Sequence, residues 1–212
     1  MLGESKKHFS ILIIPCYNFV IRGYCVVYIA YDSNLPLYHG TISLYADIII
    51  KHGIRIFPRR KGSADFGTGF YLTTNFPQAK EWAKHRTERP IPIQPMLELH
   101  GIAIRDFLGM RKTFKPTVLK FAINDTENWV KLRHKIFSHD NDAWKQFVWT
   151  KRQSNFPFPQ YDYDWIYGPV ADGGLQSADY HDIHAYENKN QLAVLTYRAV
   201  QYLTILEVIT CL

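Results

Sequence analysis

Residues 65–73 read Asp-Phe-Gly-Thr-Gly-Phe-Tyr-Leu-Thr, and the fold can be worked out from this stretch. Glycines in its first half favour a loop, and the aromatic and aliphatic residues of its second half favour a buried strand. Asn75 follows as a helix N-cap, and Ala79 and Trp82 share one side of a predicted helix over residues 77–85. The pattern predicts a loop, a strand and a helix in succession, with Trp82 facing the body of the domain.

A second informative stretch lies upstream, where residues 37–41 read Leu-Tyr-His-Gly-Thr. Its composition predicts a short strand that ends in a His-Gly-Thr triplet. Residues 43–52 follow with apolar side chains at helical spacing, Ser43 as the expected cap and Gly53 in the position of a C-cap. A second strand and helix are therefore predicted, and the domain is expected to begin near Leu35.

The rest of the chain mixes strands and helices. Residues 89–95 are rich in proline, which predicts an extended segment. Strands are predicted at residues 117–123, 164–173, 191–195 and 204–209, and helices at residues 127–137, 142–151 and 197–203. Because strands and helices do not alternate strictly, their order favours an α+β fold over a doubly wound parallel sheet.

Composition and charge limit the class of protein. The 212 residues fit one compact domain, and 14 tyrosines and 13 phenylalanines supply apolar surface for a core. The formal charge of +6 is spread in small clusters, which indicates either solvated faces or attraction to a phosphorylated ligand or to nucleic acid. No recognition helix, RNA-platform motif or glycine-rich phosphate loop accompanies that charge. A dedicated nucleic-acid-binding protein is therefore disfavoured, while nucleic acid stays open as a substrate.

The N-terminal segment bears on where the protein resides. Residues 11–31 are strongly apolar but are interrupted by Pro15, Asn18 and Arg22, and no small-residue cleavage site follows them. A buried strand pair, an extension upstream of the domain, and a membrane-anchoring or secretion segment are the open interpretations. The three cysteines are odd in number and lack metal-ligand spacing, which favours a reduced, cytoplasmic setting.

Three pieces in this order resemble one group of enzymes. They are the His-Gly-Thr triplet at residues 39–41, the 65–73 stretch with its following Ala-Trp helix, and Tyr-Asp-Trp-Ile-Tyr-Gly-Pro-Val-Ala-Asp at residues 163–172. The chain resembles the diphtheria-toxin-like and poly(ADP-ribose)-polymerase-like ADP-ribosyltransferases, and among them the small bacterial domain of unknown function 3990 (DUF3990). The resemblance implies an α+β, ADP-ribosyltransferase-like fold with a split mixed β-sheet core and flanking helices over residues 35–212. Residues 1–34 lie outside it.

The resemblance also implies NAD as the co-substrate and gives roles to individual residues. His39 is expected to hydrogen-bond the adenosine ribose, and the backbone of Gly40 to hold the nicotinamide amide where a side chain would obstruct it. Thr41 is expected to support the strand end. Tyr71 is expected to stack on the nicotinamide ring, with Trp82 as the opposing aromatic wall. Tyr71 and Trp82 can equally be core aromatics, which is the alternative interpretation.

The third catalytic position departs from the best-known form of the family, which has a glutamate there. Gln191 occupies that place, at the predicted start of the strand before the last helix. A glutamine can hydrogen-bond the nicotinamide-ribose hydroxyl, but it gives no full negative charge to the oxocarbenium-like ribose of the transition state. Glu187 is a candidate substitute carboxylate if residues 186–190 form a loop at the cleft. An exposed loop glutamate is the other interpretation.

Two further polar clusters have a functional and a plain interpretation. Arg59, Arg60 and Lys61 lie in the loop before the glycine-bearing stretch, where they either meet the pyrophosphate of NAD or are simply solvated. His181 and His184 lie among aspartates and invite a zinc hypothesis. Without a cysteine or a third well-spaced ligand, no metal site is predicted.

The activity predicted by resemblance is transfer of ADP-ribose from NAD to a macromolecular acceptor, either protein or nucleic acid. The protein is then expected to be a bacterial toxin of a toxin–antitoxin or defence system, with an antitoxin as its partner. NAD glycohydrolysis uses the same cleft chemistry and stays open. A non-catalytic module that binds NAD or ADP-ribose also stays open, because Gln191 stands where a carboxylate is expected.

Overall fold

The computed structural model describes residues 31–58, 62, 64–153 and 162–211, and the backbone of residues 20–21 and 24–25. Its strands are β1 (Val20–Ile21), β2 (Tyr24–Cys25), β3 (Leu37–Ile42), β4 (Phe70–Leu72), β5 (Pro116–Ile123), β6 (His134–Ile136), β7 (Trp165–Gly173), β8 (His184–Val194) and β9 (Leu203–Thr210). Its helices are α1 (Ser43–His52), α2 (Phe76–Glu88), α3 (Gln94–Leu99), α4 (Ile104–Met110), α5 (Thr126–Trp129), α6 (Asp142–Gln153) and α7 (Tyr197–Val200). This mixture confirms the predicted α+β class.

Two β-sheets form the framework of the described chain. The first is antiparallel with strand order β3-β5-β9. The second has the order β4-β8-β7-β6, in which β6 and β7 are parallel and the other neighbours antiparallel. Tyr38 of β3 and Thr73, just after β4, exchange backbone hydrogen bonds of 2.7 and 2.9 Å. The two sheets therefore meet edge to edge at this bridge, while β1 and β2 pair in a separate ladder.

Clusters of buried side chains join these elements. The largest draws on both sheets and on α1, α3 and α4, and it contains the fully buried Trp129 and Trp165, whose rings stack with centroids 5.0 Å apart. A second cluster covers the opposite face of the β4-β8-β7-β6 sheet, where Trp144 and Val148 of α6 lie. Tyr31 contacts Trp165 with ring centroids 4.9 Å apart, so core packing reaches upstream of the predicted domain start.

Helix α1 has the predicted bounds, but one of its predicted signals is wrong. Gly53 closes the helix with a φ of 75°, and its N–H donates to Ile49 O at 2.9 Å. Ser43 is not the N-cap. Its hydroxyl oxygen instead accepts a 3.1 Å hydrogen bond from the amide of Lys115, which connects α1 to the start of β5.

Helix α2 confirms the prediction for residues 77–85 and packs on β3. The side-chain oxygen of Asn75 accepts from the Gln78 amide at 3.1 Å, which caps the helix. Ala79 and Ala83 are buried and face the sheet. Because these side chains are small, the helix backbone can lie very close to the strand.

Residues 127–137 do not form the predicted helix. Helix α5 ends at Trp129, and His134–Ile136 form β6 alongside β7. Backbone pairing with a buried strand outweighs the local helix preference of this segment. Asp164 reinforces the pairing, since its carboxylate accepts a 3.0 Å hydrogen bond from the Arg133 amide.

Two other boundaries differ from prediction. Helix α3 begins at Gln94, inside the proline-rich segment predicted to be extended, because Pro95 is tolerated in the first turn of a helix. Helix α7 ends at Val200 rather than at residue 203, since Leu203 already pairs with β5 as the start of β9. Helix α4 has no counterpart among the predicted elements.

The apolar N-terminal run at residues 11–31 lies largely outside the described residues. Where the chain is described, no helix combines the length and the apolar character needed to cross a membrane. Cys211 is a buried, unpaired cysteine near the end of β9.

Candidate active site

Three predicted catalytic residues lie on neighbouring strands around the bridge between the sheets. His39 is in β3, Tyr71 in β4 and Gln191 in β8. Tyr71 lies opposite Ala193 of β8, and the ladder ends one residue later, which puts Gln191 beside Thr73. The fold thus brings together residues that are far apart in the sequence.

Two contacts fix the ring of His39. Its Nδ1 lies 2.8 Å from the carbonyl oxygen of Tyr71, and its ring stacks on Phe70 with centroids 4.4 Å apart. Because a carbonyl oxygen can only accept, Nδ1 carries the proton in this contact. In the neutral ring, Nε2 is then the acceptor, the form needed to receive a hydrogen bond from a ribose hydroxyl.

A physical reason for glycine at position 40 comes from the helix. A Cβ built on Gly40 would lie 2.0 Å from the carbonyl oxygen of Ala79 and 3.0 Å from the amide nitrogen of Ala83. Any side chain would therefore collide with the backbone of α2. The resemblance implies glycine for ligand access, whereas the close approach of α2 to β3 is sufficient to require it.

The backbone of Gly40 nevertheless faces the gap between the sheets, which we define as the place beyond the Tyr38–Thr73 bridge where β3 and β4 are not paired. Tyr38 directs its N–H and C=O toward Thr73, and backbone groups two residues apart in a strand point to the same side. Gly40 therefore directs its N–H and C=O to the same edge, one step beyond the bridge. Thr41 is buried and lies opposite Thr117 of β5, on the paired edge of the strand.

The hydroxyl of Tyr71 holds the glycine-bearing loop. It donates to Gly67 O at 2.6 Å and accepts from the Phe66 amide at 3.2 Å. The ring lies against the second core cluster and is partly buried. Tyr71 thus links β4 to the loop that precedes it.

The predicted orientation of Trp82 is wrong. The residue is 54 % exposed, and its indole stacks on His85 of the same helix with centroids 5.5 Å apart. Ala79 and Ala83 face the sheet instead, because small side chains are what the close contact with β3 allows. Trp82 is therefore a surface aromatic of α2 and not part of the core.

Gln191 has a carboxylate partner that the sequence did not reveal. The glutamine is 8 % exposed, and its Nε2 donates to Oδ2 of Asp65 at 2.6 Å and to Pro169 O at 2.9 Å. Asp65 in turn forms an ion pair with Arg152 at 2.5 Å. No spacing rule in the sequence could have indicated the ion pair between Asp65 and Arg152, since Arg152 lies in α6, far along the chain from Asp65. The only sequence signal was the aspartate at the head of the 65–73 stretch.

The residue before Gln191 ties three elements together. Asn190 is buried, and its side-chain oxygen accepts a 3.0 Å hydrogen bond from the Thr74 amide. Its backbone exchanges hydrogen bonds with the side chain of Gln78 in α2, at 2.9 and 3.1 Å. The site end of β8 is thereby fixed to α2 and to the end of β4.

Glu187 lies in an irregular part of β8, where the pairing with β7 jumps from Ala185 to Asn190 and Asn188 has a φ of 60°. Strand β8 begins at His184, so residues 186–190 belong to the strand and Gln191 lies inside it rather than at its start. Glu187 is exposed, as the plain interpretation expected. The carboxylate that contacts Gln191 is that of Asp65.

One perturbed tyrosine lies on the same hairpin. The carboxylate of Asp172 accepts a hydrogen bond from Tyr186, and this contact raises the pKa of the tyrosine above its ordinary value. Lys189 lies over the Tyr186 ring with its ammonium 4.4 Å from the centroid. These contacts order an exposed edge of β8 and do not involve the three strand residues named above.

The other predicted clusters contribute no site geometry. Arg59, Arg60 and Lys61 lie outside the described residues. His181 contacts Asp179 at 2.7 Å, and His184 lies in β8. Within the described ranges, no group of three or more histidine, cysteine or acidic side chains is arranged to hold a metal ion.

Comparison with known proteins adds one relationship. The sequence profile of a family described as a protein of unknown function (DUF3990) matches residues 35–201. No curated protein matches the chain. Since the matched region covers most of the 212 residues, the chain belongs to the DUF3990 family.

Proposed function

We propose that the protein is an NAD-dependent mono-ADP-ribosyltransferase that binds NAD in the gap between the two sheets. The observation that carries this proposal is the placement of His39, the backbone of Gly40 and Gln191 on three strands that adjoin the Tyr38–Thr73 bridge. Each of these groups is a hydrogen-bonding group of the kind that a bent dinucleotide requires. The sequence resemblance to ADP-ribosyltransferases supports the same conclusion.

The nicotinamide end of NAD matches the edge of β3. A carboxamide has one face that donates and one that accepts, and Gly40 directs an N–H and a C=O toward the gap. Exposed Trp82 lies on α2, the helix that contacts Gly40 through Ala79, and in this proposal the part of its ring not stacked on His85 contacts the nicotinamide. Tyr71 provides the second aromatic side chain.

The ribose hydroxyls of NAD match the hydrogen-bonding groups of His39 and Gln191. His39 has Nε2 as the acceptor for a hydroxyl of the adenosine ribose. Gln191 uses its amide nitrogen on Asp65 and Pro169, which leaves its Oε1 to accept from a hydroxyl of the nicotinamide ribose. NAD is the co-substrate in this proposal.

The reaction is a substitution at the ribose carbon. The glycosidic bond to nicotinamide breaks and nicotinamide leaves with the electron pair, while a nucleophile of a protein or nucleic acid acceptor bonds to that carbon and gives its proton to water. Gln191 offers a dipole rather than a full charge to the oxocarbenium-like ribose, at a cost of about two to three orders of magnitude in rate relative to a well-placed carboxylate. A toxin role with an antitoxin partner belongs to this proposal through the resemblance.

The test uses the full-length protein, cell lysate and NAD labelled in its adenosine half. Label on a macromolecule, together with free nicotinamide, is expected from the wild type. His39→Ala and Gln191→Ala should each reduce both signals by about tenfold or more. His100→Ala, a half-buried histidine that contacts His52 away from the three strands, and Glu187→Ala, on the same strand as Gln191, are matched controls that should retain both signals.

Other outcomes select other functions. Nicotinamide release without labelled macromolecules would identify an NAD glycohydrolase. NAD binding with neither product would identify a non-catalytic binding module. If the wild type neither binds NAD nor releases nicotinamide, the proposal is wrong.

A further inference from the structure

Asp65 accepts hydrogen bonds from three other parts of the chain. The residue is 3 % exposed, and its two oxygens have different partners. Oδ1 accepts from Nε and Nη2 of Arg152 at 2.8 and 2.5 Å. Oδ2 accepts from the Ala171 amide at 2.9 Å and from Gln191 Nε2 at 2.6 Å. All four partners are donors, which is the set that an ionised carboxylate requires.

These contacts determine which way the amide of Gln191 points. Its Nε2 has two protons, and Asp65 and the Pro169 carbonyl accept both. A reversed amide would set Oε1 against two acceptors and leave both without a donor. The orientation with nitrogen toward Asp65 and oxygen away from it is therefore the favoured one.

We propose that Asp65 is a positioning residue that turns the Oε1 of Gln191 toward the ligand, where it accepts a hydrogen bond from the nicotinamide-ribose hydroxyl. The identity of the ligand rests on the proposed function, whereas the orientation of the amide rests on the contacts alone. A glutamine turned in this way presents one acceptor oxygen, as a glutamate would. Arg152 in turn fixes Asp65 from α6.

Asp65 also gives a reason for an amide at position 191. A carboxylate there would lie within 2.6 Å of a second carboxylate in a nearly buried place. Two like charges so close cannot both remain ionised without a large cost. Gln191 donates and Asp65 accepts, so changing either side chain alone disrupts the hydrogen bond between them.

The test is an exchange of the two side-chain types in the full-length protein. Four proteins are compared: wild type, Asp65→Asn, Gln191→Glu, and the double variant. In the wild-type background, Asp65→Asn takes an ionised acceptor from Arg152, Ala171 and Gln191, so the Tm should fall by at least about 2 °C. In the Gln191→Glu background, the same substitution removes a like-charge contact and supplies a donor, so the Tm should rise by at least about 2 °C.

Nicotinamide release from NAD is measured on the same four proteins. Gln191→Glu should lose about tenfold or more, and adding Asp65→Asn to it should recover at least about threefold. Recovery is partial, because Pro169 O still faces an acceptor at position 191. A merely structural aspartate would give additive losses and no recovery of the rate.

A neighbouring glutamine provides the matched control. Gln78→Glu also places a carboxylate beside β8, in contact with Asn190 rather than with Asp65. Asp65→Asn should lower the Tm equally with and without Gln78→Glu. A rise in that background would mean that the effect is general to negative charge, and it would overturn the proposed pairing.

The outcomes separate this inference from the proposed function. A fall in Tm on adding Asp65→Asn to Gln191→Glu overturns the orientation of the amide. A rise in Tm without recovery of nicotinamide release overturns the positioning role in an active enzyme. A wild type that releases no nicotinamide overturns the proposed function and the positioning role with it, while the sign of the Tm change still decides the orientation.

Discussion

Replacing Gly40 with alanine tests the close contact between α2 and β3. The added Cβ would lie 2.0 Å from the Ala79 carbonyl oxygen, about 1 Å inside the shortest spacing that such atoms adopt. The obstacle is helix backbone, so a rotamer change cannot relieve it and α2 must move away from β3. We expect a loss near the upper end of overpacking costs, about 3 kcal/mol. For a chain of this size, that loss corresponds to a Tm lower by about 6–12 °C.

The measurement is thermal unfolding followed by circular dichroism, with Gly109→Ala as the matched control. Gly109 lies in α4, has an ordinary helical backbone and has no atom within 4 Å of an added Cβ. Alanine there should leave stability unchanged or raise it by about 0.5–1 kcal/mol. If Gly40→Ala unfolds within about 2 °C of the wild type, the close contact between α2 and β3 is refuted.

Three further predictions concern stability in urea unfolding. Tyr45→Phe should destabilise by about 1–2 kcal/mol, because Ile91 O and the Ile93 amide lose their hydroxyl partner; an unchanged midpoint would contradict those bonds. Burial raises the pKa of Tyr45 from 10.0 to about 12, so stability that is present below pH 10 should be lost as the pH approaches 12. The loss should reach at most roughly 2–3 kcal/mol and be absent in Tyr45→Phe. Arg152→Met should cost roughly 2–3 kcal/mol, less than for a fully buried pair because the arginine side chain is 21 % exposed, and equal stability would rule out a contribution from its contact with Asp65.

Elements with strong local signals could be predicted from the sequence. Helix α1 has the predicted bounds because its signals are local. The helical spacing of its apolar side chains and the C-cap Gly53 lie within the helix or directly after it. Helix α2 follows in the same way from Asn75 and the residues after it. Strand β5 spans the predicted residues 117–123 because it is an apolar run that is largely buried.

Features that depend on distant partners could not be predicted. Strand β6 exists because β7 lies beside it, and nothing in the local sequence of His134–Ile136 indicates that neighbour. The contact between Asp65 and Arg152 joins a loop to α6 across many residues. The exposure of Trp82 does not follow from the sequence, because helical periodicity identifies a face but does not tell which residues of that face are small enough for contact with β3.

The way in which the two sheets are joined allows the width of the gap between them to vary. Hydrogen-bond ladders are directional and fix strand register, whereas apolar contacts are non-directional and tolerate small rotations. In the described chain, the Tyr38–Thr73 bridge is the backbone link between the sheets, and the hydrogen bond from His39 to the Tyr71 carbonyl and a shared core with Leu37 and Phe70 add to their cohesion. Substitutions in that core can therefore change the angle between the sheets, and with it the width of the gap, while every strand keeps its register.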